Sequence, residues 1–181
     1  MSYATQNSLL MNNLVEFYKD DVSLTTMRDL ATGDAKSSLR LVDWFTTNYA
    51  KKYYTVIPKE DGTRFKVYYD YKLKLKAYSK RRFDPFCRCD RINMPYKEGK
   101  CIETTIGQLN FFKWAIENGV TKYIEENYEA IEHDMNARNS TSKRKEAVNS
   151  GQHTRKKREE LSISATKSVK KEEVEIVVTF N

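Results

Sequence analysis

Between Phe65 and Ala77 every second residue is apolar. Phe65, Val67, Tyr69, Tyr71, Leu73, Leu75 and Ala77 alternate with Lys66, Tyr68, Asp70, Lys72, Lys74, Lys76 and Tyr78. Successive side chains of an extended strand point to opposite faces. Period two over thirteen residues therefore predicts a long, half-buried strand with one apolar and one basic face. A helix is the rival for its second half, because Tyr71, Leu75 and Tyr78 also share a helical face. Upstream, "YYTVIP" is β-rich and stops at Pro58, and "EDG" places Asp61-Gly62 at the tip of a turn.

The flanking segments carry a helical period. "SLLMNNLVEFYKD" puts Leu10, Leu14, Phe17 and Tyr18 on one face. "LTTMRDLA" predicts a short second helix ending near Gly33, with Asp34 as cap of the next. Leu39, Val42, Phe45 and Tyr49 repeat at helical spacing. "SKRRFDPFCRCDRINMPYKEGK" reads as irregular, since Pro85 and Pro95 interrupt any ladder. Thr105 caps a helix with Gln108 three residues on, a capping box, and Gly119 ends it. A further helix turns Val120, Tyr123, Ile124, Tyr128, Ile131 and Met135 inward, and Glu125, Glu129 and Glu132 outward. Phe111 and Phe112 are not expected to face one core together, so one of them marks an interface or is covered by a neighbour.

Near the end, alternation returns at Leu161, Ile163 and Ala165, and again at Val174, Ile176 and Val178. The expected fold is a single α+β unit: an antiparallel sheet packed against several helices, with a basic flexible loop before C-terminal strands. Residues 1–136 are the core. Its sheet, from Tyr53 to Ser79 and joined by the C-terminal strand, packs on helices around Trp44, Phe112 and Tyr128. Residues 137–160 are the loop, and 161–181 are strands returning to the core.

Charge is distributed in blocks. The 181-residue chain carries a formal net charge of +7, but twelve Lys/Arg stand against four acids from Arg64 to Cys101, and eleven against three from Asn136 to Lys171. Val120 to Met135 is acidic, with one Lys against five acids. No run approaches the roughly 20 apolar residues of a membrane span. The opening "MSYATQNSLLMNNL" lacks the pattern of a secretory signal. Three cysteines suit a reducing compartment better than a disulfide framework. A soluble intracellular protein is expected.

Each candidate site has a plain alternative. On a strand, Lys72, Lys74 and Lys76 would project about 7 Å apart, close to the spacing of phosphates along a nucleic-acid strand. Lys80, Arg81, Arg82, Arg88 and Arg91 would extend that ridge, and Tyr68 and Tyr78 would stack on bases. The alternatives are a lysine-studded edge that resists sheet-to-sheet aggregation, or neutralisation by the acidic helix of this chain or a neighbouring copy. Lys143, Arg144 and Lys145, followed after a polar spacer by Arg155, Lys156, Lys157 and Arg158, match a bipartite nuclear-import signal. They also suit phosphate contact or a solvated charge run.

Metal and catalysis have little behind them. Cys87-x-Cys89 with Cys101 and either His133 or His153 invites zinc, but one intervening residue is too few for ordinary chelation, so reduced thiols are expected. There is no phosphate-binding loop, dinucleotide fingerprint or nucleophile elbow. Asp70, Asp84 and Asp90 leave a metal-dependent nuclease as the residual catalytic option, against pairing of these acids with nearby arginines. No cofactor is implied.

"SLRLVDWFTTNYAKK", "KLKAYSKRRFDPFCR" and "TTIGQLNFFKWAIENGV" resemble segments of a small uncharacterised protein of nucleocytoplasmic large DNA viruses, such as chlorella-virus, iridovirus and marseillevirus relatives. The resemblance covers roughly Ser37 to Asn136, with a weaker echo in "RKKREELSISATKS". Cys89 departs from it, standing where a second basic residue is expected after "FDPFC". It brings no catalytic residue with it. What it implies is a setting: the host nucleus, a cytoplasmic virus factory or the virion, with nucleic acid (DNA before RNA) as partner. The other class of reading is a structural adaptor of the virion that binds acidic viral proteins or itself.

Overall fold

The computed structural model describes residues 6–97, 99–148 and 171–173. Helix α1 (Gln6–Phe17) and helix α2 (Asp21–Thr32) open the fold. Leu14 and Tyr18 are buried and Leu10 and Phe17 half-buried, as their helical spacing predicts. Asp20 caps α2 by accepting the Ser23 N–H at 2.9 Å. Helix α3 (Leu39–Trp44) is capped by Ser38 rather than Asp34. It runs through a π-helical turn, Phe45–Tyr49, into the short α4 (Ala50–Lys52).

Strands β1 (Val56–Pro58) and β2 (Arg64–Lys66) pair antiparallel around the expected Asp61-Gly62 turn, where Thr63 N–H donates to Asp61 at 2.9 Å. The alternating segment then departs from expectation. Residues Val67–Arg82 are helix α5, not a strand. Val67 and Tyr71 are buried, and Tyr68, Leu75 and Tyr78 pack half-buried against the core. This is the rival helical face, extended toward the N-terminus. The apolar set at odd positions contained 67, 71 and 75, so one pattern satisfied both periods. The helix places these residues against an aromatic core that includes Phe111 and Trp114. Three members of the predicted strand face, Tyr69, Leu73 and Ala77, are consequently left in solvent.

The stretch read as irregular contains the larger sheet. Strands β3 (Arg91–Lys97) and β4 (Lys100–Thr105) form a hairpin, and β5 (Lys171–Glu173) adds antiparallel to β4. Pro95 is tolerated because β3 is an edge strand, where a missing N–H breaks no second ladder. The C-terminal segment thus returns to a sheet, but to β4 and not to the Tyr53–Ser79 region. Leu161 to Ala165 and Val174 to Val178 lie outside the described residues.

Helix α6 (Ile106–Glu117) is the central element. Gly107 through Phe112, Trp114 and Ala115 are all buried, so it is apolar on nearly every side. Phe111 and Phe112 are both fully buried, because α1 and α2 pack on it as well as α5 and β4. Helix α7 (Val120–Glu126) follows Gly119, whose φ of 68° lies in the left-handed region. Helix α8 (Tyr128–Val148) then carries Ile131 and Met135 into the core. Because α8 continues to Val148, residues 137–148 are helical where a loop was expected. The architecture is α+β, with the core on α6.

Candidate nucleic-acid interface

The side chains of α6 that are polar and buried all reach toward α5 and the turn after it. Trp114 Nε1 donates to Asp70 Oδ1 at 2.6 Å, in the first turn of α5. Asn110 Nδ2 donates to the Arg82 carbonyl at 2.8 Å, and Gln108 Nε2 to the Pro85 carbonyl at 2.9 Å. Gln108 N–H is capped by Thr105 Oγ1 at 3.0 Å as predicted. Its side chain does not close the box, however; it takes the Thr104 hydroxyl at 2.8 Å and serves Pro85. Gly107 permits the close approach: a Cβ there would stand 2.9 Å from the Arg81 carbonyl oxygen. The basic segment is therefore fastened at both ends from beneath, and its outer face is left to solvent.

Ser79 breaks that segment. Its φ of 61° and ψ of 170° are non-helical and rarely adopted outside glycine. The last turn, Lys80 to Arg82, is thereby redirected onto Gly107.

The predicted contact residues are sorted by this geometry. Lys72 and Lys76 are exposed one helical turn apart, about 6 Å along the axis. Lys80 is exposed beyond the break. Lys74 is half-buried and some 200° around the helix from Lys72, so the three lysines do not form the expected single row. Among the described residues none of Lys72, Lys74, Lys76 and Lys80 has a carboxylate partner. Arg81 lies 3.6 Å from Asp90, but with side chains 77% and 91% exposed the pair is solvent-screened and weak. Arg82 is half-buried and its carbonyl is engaged by Asn110.

Arg88 and Arg91 are removed from the ridge by the chain's own acids. Arg88 makes a two-pronged contact with Asp84, both bonds at 2.8 Å, and lies 4.9 Å over the Phe86 ring. Its hydrogen bond to Asp84 raises its pKa further. Arg91 pairs with Glu103 across the β3–β4 hairpin. Tyr78 is stacked on Phe83 at 6.3 Å and Tyr68 is half-buried, so neither ring is open as predicted.

The open rings are others. Tyr54 and Tyr69 are 53% and 56% exposed, and Leu73 is 65% exposed. Their signal was present in the sequence, but only a helical reading of residues 67–78 turns Tyr69 and Leu73 outward together. Leu73 and Tyr69 with Lys72, Leu75 and Lys76 line a shallow groove of about 520 Å³.

The acidic helices do not cap this face. Among the described residues no ion pair joins Glu125, Glu129 or Glu132 to α5, and Glu132 accepts from Tyr128 at 2.8 Å. Asp134 is held instead by Trp44 Nε1 at 3.1 Å, Tyr53 at 3.2 Å and Lys52.

Asp70 and Asp84 are engaged by Trp114 and Arg88, and Asp90 faces Arg81. Among the described residues no three His, Cys, Asp or Glu side chains converge on a common point that could hold a metal ion. Cys87, Cys89 and Cys101 are free thiols, with Cys87 buried and its thiol pushed up by burial. The first import-type cluster, Lys143 to Lys145, falls on the helical backbone of α8; Arg155 to Arg158 lie outside the described residues. No helix among the described residues is long and apolar enough to cross a membrane.

The profile of a family of unknown function, DUF7197, matches residues 3–180. The chain belongs to the DUF7197 family. It is also similar to "Uncharacterized protein L507" of Acanthamoeba polyphaga mimivirus, with 39% identity over 146 residues. That match covers 76% of this chain and 56% of the relative, so the chain spans just over half the relative's length. The resemblance to large-DNA-virus proteins stands at that level. No solved structure matches this DUF7197 chain.

Proposed function

We propose that the protein is a non-enzymatic nucleic-acid-binding protein of a large DNA virus, acting through sequence-tolerant phosphate contacts. The supporting observation is the outer face of α5 and its redirected last turn. Lys72, Lys76, Lys80 and Arg81 are exposed there without a strong internal partner. Such a face attracts a polyanion because binding releases condensed counterions. Arg88 and Arg91, spent on Asp84 and Glu103, are left out of the contact set. A virus factory, the host nucleus or the virion is the setting in which such a protein acts.

Titration of labelled DNA from low to high salt tests this. Binding at low salt should weaken steeply as salt rises. Each of Lys72→Gln, Lys76→Gln and Lys80→Gln should flatten the slope of log K against log salt by about 0.7–0.9. Absence of binding at the lowest salt removes the proposal.

One observation favours a second reading, an adaptor that binds acidic viral proteins. The groove lined by Tyr69 and Leu73 is apolar with a lysine rim, which also suits an acidic amphipathic segment. Self-association in light scattering, without retention of nucleic acid, would support it.

A further inference from the structure

We infer that the nucleic acid recognised is single-stranded, with Tyr54 and Tyr69 forming a stacking platform at the start of α5; this rests on the reading above. The two rings are more than half exposed and lie 5.9 Å apart, inclined at 70°. Tyr68, half-buried, lies 5.9 Å from Tyr69 and braces it from the core side. Cations lie beside this cluster: Lys66 Nζ is 5.8 Å from the centroid of the Tyr54 platform ring, and Lys51 Nζ is 5.7 Å from that of the bracing Tyr68. Leu73 follows Tyr69 one turn along α5, and Lys72 and Lys76 continue the positive track beyond it.

Tyr54 is exposed on a fixed stretch of backbone. Its φ of 46° is positive, which is unusual for a bulky residue. The flanking N–H groups are fixed on both sides, Tyr53 to the Tyr49 carbonyl at 2.9 Å and Thr55 to the Ala50 carbonyl at 3.1 Å.

Duplex DNA hides its base faces and offers this surface only phosphates. A single strand offers phosphates to the lysines and, to the rings, base faces that stack with little regard to sequence. Open aromatic rings interleaved with ammonium groups therefore match a single strand better than a duplex. An acidic protein segment without aromatic residues would match the lysines, but leaves the rings no planar partner.

Fluorescence anisotropy at fixed low salt should compare an oligo-dT strand, a duplex of equal length and polyglutamate. The strand should bind at least about tenfold tighter than either competitor. Tyr54→Ala with Tyr69→Ala should lower strand affinity about tenfold or more and leave duplex affinity unchanged. Both side chains are largely in solvent, so the fold tolerates their loss. Tyr54→Phe with Tyr69→Phe keeps the rings and should keep the affinity. Equal strand and duplex affinities, unaffected by the alanine pair, would overturn the single-strand inference and leave nucleic-acid binding standing. Failure of both DNAs to bind removes both. Polyglutamate binding as tightly as oligo-dT points to an acidic protein partner and overturns the inference.

Discussion

Trp114 Nε1 and Asp70 Oδ1 meet at 2.6 Å and tie the central helix to the first turn of the basic helix. The indole is almost wholly buried, and it also sits 6.1 Å from the Tyr71 ring. A hydrogen bond to a carboxylate in such a place contributes about 1.5–3 kcal/mol. Trp114→Phe keeps a ring and removes the donor. It should lower the unfolding free energy by about that amount in urea denaturation; an unchanged midpoint would show that this hydrogen bond adds nothing to the seating of α5.

Gly107 lies where α6 passes close under the end of α5. Gly107→Ala would set a methyl against backbone at Arg81 and Phe83, at 2.9 and 3.3 Å, and backbone cannot swing away as a side chain can. Overpacking of this kind costs about 1–3 kcal/mol. Thermal unfolding should show a fall of several degrees, and a variant as stable as the parent would contradict the fit.

Ser79 holds a conformation that costs about 1–3 kcal/mol for a residue with a Cβ. Ser79→Gly relieves it, against about 0.4–1 kcal/mol of added freedom in the unfolded chain. The glycine variant should therefore be more stable, while Ser79→Ala, which keeps the Cβ, should not gain. Equal denaturation midpoints for the two variants would argue against strain at this residue.

Asp134 supplies a pH dependence. Burial pushes its carboxyl up, but hydrogen bonds from Lys52, Trp44 and Tyr53 outweigh burial and hold it below its ordinary 3.8. Lys52 is raised above its ordinary 10.5, first by its hydrogen bond to Asp134. The Asp134 contribution is complete above 3.8 and is lost as pH falls through the lower folded-state value. The Lys52 contribution is complete below 10.5 and is lost as pH rises through the higher one. Asp134→Asn should be less stable than the parent at neutral pH, and the gap should close in acid. Urea midpoints taken stepwise downward in pH measure it, and a gap constant with pH would deny the pair any electrostatic share.

Local signals carried the chain a long way. The spacing of Leu14 and Tyr18, the turn at Asp61-Gly62, the Thr105 cap and the inward face from Val120 to Met135 were legible because each is set within a few residues. The positive block from Arg64 to Cys101 was equally plain in the sequence. What could not be read locally was the state of Val67 to Tyr78, since its apolar residues fit period two and a helical face alike. Only the presence of α6 beneath, with Phe111 and Trp114 to receive Tyr71 and with Gly107 and Asn110 to seat the last turn, made it a helix. That choice separated Lys74 from Lys72 and Lys76 and turned Tyr69 outward. Asp84 and Glu103 then withdrew Arg88 and Arg91. Sequence alone determined how much charge there is. Tertiary packing decided which charges remain open to a partner, because a side chain's exposure and its counter-ion depend on neighbours far along the chain.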